Sequence, residues 1–233
     1  MNEPFSGAVG LALSAVFKAL KTLRPDRPIH PTGVALTGII QRHPGATKSG
    51  IAWVDSPGSN AVSARLSRSV GTPQGWPDIL GLALRVATET SRADVLLAST
   101  GLSWPGRLLL TAHRHASNCK LTSLMPYKGS LGPVLLAARP EKSGKYLPAA
   151  PDAFRRTLGT SPWTLGLYHA RPSGRWTRFG TLVLTLDPGT ADLPTRFDPL
   201  EHSLPGAGTY GWARRLRKPH TTPPASRPPN CRE

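Results

Sequence analysis

Cysteine is nearly missing from this chain: 233 residues contain two, Cys119 and Cys231. They form no Cys-x-x-Cys and no Cys/His spacing of the kind that holds structural zinc, so the chain does not read as a disulfide scaffold or a zinc module. That usage fits a reducing, cytoplasmic location. Acidic residues are also scarce, 13 against 29 Lys and Arg, giving a formal charge of +16. Such an excess suits a nucleic-acid or anionic partner, but the basic residues are spread along the chain, which equally fits a charge that keeps a Pro-rich protein in solution. Aromatics make up only 6%, and the six tryptophans are scattered through the sequence rather than grouped as a stacking platform. Long apolar runs are missing too. Phe5 to Leu20 comes nearest, yet Lys18 interrupts it and Glu3 stands where a signal peptide needs a basic flank, and it is too short to span a bilayer.

Proline and glycine, 25 and 23 residues, are abundant, and they predict short elements joined by tight turns. Val9, Leu13, Val16, Leu20 and Leu23 recur at helical spacing, with Lys18, Lys21 and Arg24 towards the end where the helix dipole favours cations, so an N-terminal packing helix is expected, with membrane-surface attachment as its alternative. After Gly33 the apolar runs shorten to strand length. Nine are candidates: Val34–Gln41, Gly50–Asp55, Ala61–Val70, Leu80–Thr88, Ala93–Thr100, Arg107–Arg114, Val134–Arg139, Trp163–Ala170 and Trp176–Leu186. Trp163, Leu165, Leu167 and His169 alternate and share one strand face. Nine strands suffice to close a barrel, which removes exposed sheet edges. Pro151–Leu158 opens with Pro and Asp and predicts a short helix. The expected fold class is α+β, an antiparallel β-barrel with an N-terminal helix and a few short helices. Residues 1–217 form its one domain, and 218–233 a basic, Pro-rich, disordered tail.

One constellation suggests chemistry. His30 lies in Arg27-Pro28-Ile29-His30-Pro31-Thr32-Gly33, where a histidine between two prolines is as readily a turn residue as a catalyst. Ala64-Arg65-Leu66-Ser67 follows, then Asp78 through Val86 with Gly81, Ala83 and Arg85 at spacing two, then Asp94-Val95-Leu96-Leu97. Near the C-terminus stand Phe197-Asp198-Pro199, Tyr210-Gly211-Trp212, Arg214-Arg215-Leu216-Arg217-Lys218-Pro219 and Ser226-Arg227. In this order the blocks resemble the small bacterial catalase-related haem proteins, a group sometimes labelled phosphodiesterase. The resemblance implies a catalase-like barrel and haem as cofactor. It makes His30 the distal acid–base group that moves a proton between the two oxygens of peroxide, a role suited to an imidazole with an ordinary pKa of about 6.5. Ser67 would fix the tautomer of His30, and Arg65 would neutralise a haem propionate.

The sequence departs from that pattern at two places. Where the family's distal asparagine falls, this chain has Ala98, Ser99 and Thr100, so the implied activity on peroxide or a small organic substrate is peroxidase-like rather than catalase-like. Where its iron-binding tyrosine falls, the chain reads His220-Thr221-Thr222-Pro223-Pro224-Ala225. Either His220 replaces tyrosine as axial ligand to the haem iron, or the ligand is lost. The alternative function is a catalytically degenerate, haem-free barrel that binds nucleic acid or an acidic partner, the basic tail contributing. The phosphodiesterase label finds no support, because Asp-x-His, Gly-Asn-His and the other ligand motifs of a two-metal site are missing from the sequence. Gly-x-Ser-x-Gly and Ser-x-x-Lys do not appear in a hydrolase context either. His113 and His115, two apart, would share a strand face suited to a metal, and a solvated strand end is the plainer reading.

Overall fold

A computed structural model of the chain describes residues 32–43, 45–88, 91–141, 146–193 and 196–212. The expected N-terminal helix, His30, His220 and the basic tail lie outside the described residues. The strands are β1 (Gly33–Arg42), β2 (Gly58–Arg68), β3 (Asp78–Ala87), β4 (Arg92–Ser99), β5 (Ala112–His113), β6 (Leu121–Thr122), β7 (Tyr127–Gly129), β8 (Gly132–Pro140), β9 (Trp163–Ala170) and β10 (Thr177–Leu186); the helices are α1 (Ala52–Asp55) and α2 (Pro151–Leu158). All pairings are antiparallel, in the order β2-β1-β10-β9-β8-β6-β4-β3, and β3 returns to β2, so these eight strands close a barrel. β5 and β7 are short additions to β3 and β8.

Period-two alternation builds the core. Val62, Ala64 and Leu66 on β2, Leu80, Leu82, Leu84 and Val86 on β3, and Trp163, Leu165 and Leu167 on β9 all turn into one buried cluster. Helix α2 starts as its sequence dictates, with Pro151 in the first turn and Asp152 beside it, and ends at Gly159, whose φ of 55° favours a residue without Cβ. It buries Phe154 and Leu158, one turn apart, and Phe154 meets Trp163 edge-on at 5.4 Å. At the opposite end of the β9–β10 pair, α1 sets Trp53 edge-on to Phe179 at 6.3 Å.

Seven of the nine expected strands form, and two expectations fail. Gly50–Asp55 carries α1 in place of a strand, because the Asp55 carboxylate accepts the Ser49 and Gly50 N–H groups and curls the segment into a turn. Arg107–Arg114 is largely loop: a 3₁₀ turn covers Gly106–Leu108, and only Ala112–His113 pairs as strand. Among the described residues no helix is long and apolar enough to cross a membrane.

Candidate functional site

The blocks that carry the resemblance come together on the outer face of β1 to β4. Strand register places Gly33, Ser67, Gly81 and Ala98 in one row, Ala35, Arg65, Ala83 and Leu96 in the next, and Thr37, Ser63, Arg85 and Asp94 in a third. The Gly81-x-Ala83-x-Arg85 spacing is thus a strand period that points all three residues outward, while Leu80, Leu82 and Leu84 fill the barrel. Ser67 is buried, and its hydroxyl donates to the Gly81 carbonyl at 3.4 Å.

Arg65 does not point away from the barrel. Its guanidinium crosses β1 above Gly33, where a Cβ would lie 2.8 Å from Cζ, and so only glycine leaves room for it. On the far side it grips Asp192 with both arms of its fork, Nε–Oδ1 at 2.6 Å and Nη2–Oδ2 at 2.8 Å. Asp192 also accepts the Gly33 N–H at 3.0 Å. Burial acts to raise the Asp192 carboxyl, but the hydrogen bonds and charge of Arg65, with the Gly33 and Leu193 N–H groups, outweigh it and hold the group below the usual carboxylate range. Gly33 begins β1, and its lack of a side chain serves this crossing.

A second clasp lies two residues further along. Arg85 binds Asp94 through Nε at 2.8 Å and Nη2 at 2.7 Å, and Asp94 accepts the Asp198 N–H at 2.8 Å. Arg85 also donates to the Arg196 carbonyl and lies over the Phe197 ring at 5.1 Å. Phe197-Asp198-Pro199 is therefore held against the outer row that the first half of the sequence builds. Asp192 was not singled out in the sequence, and Asp94 entered only as the head of its block, with no partner assigned. Asp192 is 127 residues from Arg65, and no local pattern marks such a partner.

The other named residues have structural positions. Of the three residues at the distal-asparagine position, Ala98 is the one on the outer row. Ser99 accepts from Leu80 N–H at 2.9 Å and donates to the Thr111 carbonyl at 2.6 Å, and Thr100 bonds Thr122 at 2.8 Å. Asp78, at the head of its block, accepts the Val70 and Thr72 N–H groups and lies 3.3 Å from Arg68 Nε, fastening the β2–β3 turn. His113 bonds the Thr111 hydroxyl at 2.9 Å and His115 meets the Tyr146 ring edge-on, and no metal-ligating cluster occurs among the described residues.

A haem would meet this face as follows. The Gly33–Ser67–Gly81–Ala98 row carries small side chains or none, with Ser67 buried in it and Arg65 in the next row. The described residues add no axial donor. Tyr127 is in the core, Tyr146 lies on His115, Tyr168 under Arg139 and Tyr210 on Trp212. His43 follows β1 on the Phe179 carbonyl, His169 is inside the barrel and His202 bonds Arg92. The small residues of this row are compatible with a flat ring lying on it, and an axial ligand would come from outside the described residues.

No protein-family model matches the sequence, and no curated protein matches it. Among solved structures the chain is similar to catalase A from Saccharomyces cerevisiae, with a TM-score of 0.58 at 12% identity over 86% of this chain and 62% of the yeast chain. It is also similar to a fungal catalase, with a TM-score of 0.55 at 13% identity over 87% of this chain and 60% of that one. The chain thus spans less than two thirds of the length of either catalase. The fold, an eight-stranded antiparallel barrel with a few short helices, is that of the catalase core.

Proposed function

We propose that this chain is a haem-binding protein with peroxidase-like activity on peroxide. The observation that carries the reading is the outer row of Gly33, Ser67, Gly81 and Ala98, with Arg65 beside it, on a fold shared with two catalases. Haem bound there would supply an iron on which the O–O bond of peroxide breaks. His30 takes the proton from one peroxide oxygen and returns it to the other. Ser67, buried at the edge of β2, holds the imidazole in one tautomer. With Ala98, Ser99 and Thr100 where the resemblance sets the distal asparagine, peroxide meets no amide, which favours peroxidase-like turnover, in which a small organic donor supplies the two electrons that reduce peroxide to water, over catalase turnover, in which a second peroxide supplies them.

Haemin titration of the purified full chain tests this. A Soret band that shifts on adding peroxide is expected. His30→Ala should keep the band and lower the rate of the shift by about 10²–10⁴-fold, and Ser67→Ala by about 10–100-fold. A Soret band that stays that of free haemin throughout the titration refutes the reading.

A specific observation favours a second reading, a haem-free barrel that works as a basic binding protein. Arg65, the residue that should meet a propionate, already has the Nε–Nη2 edge of its guanidinium taken by Asp192, so a propionate seeking that edge has to displace a carboxylate within the chain.

A further inference from the structure

Arg107 is a buried cation with an unusual set of partners. It is 4% exposed, and its donors go to backbone carbonyls of two separate loops: Nη1 to Arg171 at 2.9 Å, Nη2 to Leu102 at 2.9 Å and to Gly174 at 3.1 Å. Its guanidinium stacks over the Trp176 indole at 4.9 Å, and the Trp176 N–H donates to the same Leu102 carbonyl at 2.9 Å. Loop 101–108 and the β9–β10 turn, 171–176, are thereby stapled into one surface. On it Trp104 is 47% exposed, Arg171 and Arg175 are exposed, and Trp176 is half-buried and fixed in orientation.

The two stretches of sequence that supply these loops carry charge of one sign. No Asp or Glu occurs between Asp94 and Glu141, nor between Asp152 and Asp187, while those two stretches hold Arg107, Arg114, Lys120, Lys128, Arg139, Arg155, Arg156, Arg171, Arg175 and Arg178. The structure brings both stretches together at the Arg107 staple. The tryptophans look scattered in sequence because Trp104 and Trp176 come from different loops.

We infer that the surface formed by loop 101–108 and turn 171–176 binds single-stranded nucleic acid. Bases stack on the Trp104 and Trp176 indoles, and backbone phosphates meet Arg171 and Arg175. A duplex hides its base faces and would gain from the arginines alone, whereas a single strand offers both partners at once. An arginine-flanked indole held rigid by a buried staple has lost its rotamer freedom before the strand arrives, so binding orders little. The inference deepens the binding-protein reading and rests on it for the class of partner; it does not depend on haem.

Fluorescence anisotropy of an about 16-nucleotide labelled oligo-dT with the full chain tests it. Trp104→Ala should weaken binding by about 5–100-fold, with Trp104→Phe retaining most of the affinity. Arg171→Glu with Arg175→Glu should weaken it at least about tenfold and lower the slope of log affinity against log salt by about 1.4, two phosphates' worth for a single strand. The same charge change at Arg155 and Arg156 on α2 should leave that slope unchanged. Thermal melting confirms that each variant folds, and the exposed arginine pair keeps the test valid should Trp104→Ala fail to fold. Wild-type affinity in both the tryptophan and the Arg171/Arg175 variants refutes this surface while leaving the binding-protein reading intact. No binding by the wild-type chain to the oligonucleotide, to duplex DNA or to phosphatidylglycerol vesicles refutes both. Binding to phosphatidylglycerol vesicles but not to oligo-dT, lost in the same variants, replaces the nucleic acid with a membrane.

Discussion

His169 ends the alternating run that begins at Trp163, and all four of its alternating side chains are buried inside the barrel. Three of them are apolar and gain from that position, while the imidazole brings a titratable group into the core. Its ring leans on Phe179 at 6.1 Å, and Nε2 is buried without a hydrogen-bond partner. Burial lowers its pKa more than the nearby Asp55 charge and the Thr47 carbonyl raise it, so the ring is neutral at pH 7. The sign of the pH effect follows. The unfolded chain binds this proton at a higher pH than the folded one, so stability is complete above about pH 6.5 and falls as the pH drops below it. His113, lowered by burial and by Lys120, contributes in the same window. Urea midpoints measured from pH 7.5 to 5 should therefore decline in the wild-type chain, and His169→Leu should flatten part of that decline. An equal decline in the variant would assign the effect to His113 alone.

Among the elements, the regular strands and the irregular loops obey different physics. Loop 101–108 has no ladder of its own, and its attachment to turn 171–176 rests on two charge-assisted bonds from Arg107, to the Arg171 and Gly174 carbonyls, and on the Trp176 N–H bond to the Leu102 carbonyl. The arginine bonds contribute about 1.5–3 kcal/mol each, and their geometry needs a planar fork, which lysine lacks. Arg107→Lys should lose most of that contribution and Arg107→Met all of it. Hydrogen exchange should show this as faster exchange at the Gly101 and Gly174 amides, with the β1–β2 ladder unaffected. The contrast also explains what the sequence made legible. The long strands β1–β4 and β8–β10 announce themselves by short apolar runs between turn residues, and α2 by its Pro-Asp start and Phe154–Leu158 spacing, because each signal is local, whereas β6 and β7, two and three residues long, leave no such signal. Gly50–Asp55 misleads because a single carboxylate bonding back to two N–H groups overrides an apolar run. Arg107–Arg114 misleads because its ordering comes from a turn more than sixty residues away in sequence. At the candidate site, the family resemblance set Ser67 and Gly81 on one wall, and the strand register pairs them. Asp192 and Asp94 could not be given their partners, since nothing near either residue in the chain shows which arginine it binds.

On the scale of the whole molecule, the closed barrel is fastened to the segment that follows β10 by two Arg–Asp clasps, Arg65 with Asp192 and Arg85 with Asp94. In a chain with few acids, both carboxylates are placed where they tie the later segment to the first four strands. The clasps are unequal. Asp94 is fully buried and its arginine side chain is 19% exposed, while Asp192 is 37% exposed. Burial raises the Asp94 carboxyl, but Arg85, the Asp198 N–H and His202 more than offset it, so both carboxylates titrate below their ordinary value of 3.8. Each group's stabilisation is thus present above about pH 4 and is lost as the pH falls through the lowered folded values. At neutral pH the difference in burial decides the magnitudes. Asp94→Asn leaves Arg85 facing a neutral amide in a desolvated place and should cost about 3 kcal/mol. Asp192→Asn breaks a pair that water screens and should cost about 1 kcal/mol or less. Urea unfolding of the two variants at pH 7 measures both, and equal losses would mean that solvent reaches Asp94 as readily as it reaches Asp192. The weaker clasp is also the one a propionate would have to open. Asp192→Asn should therefore cost little stability while freeing Arg65, and in the haem reading it should tighten haemin binding, whereas a barrel that binds no haem gives the same blank titration with either residue at 192.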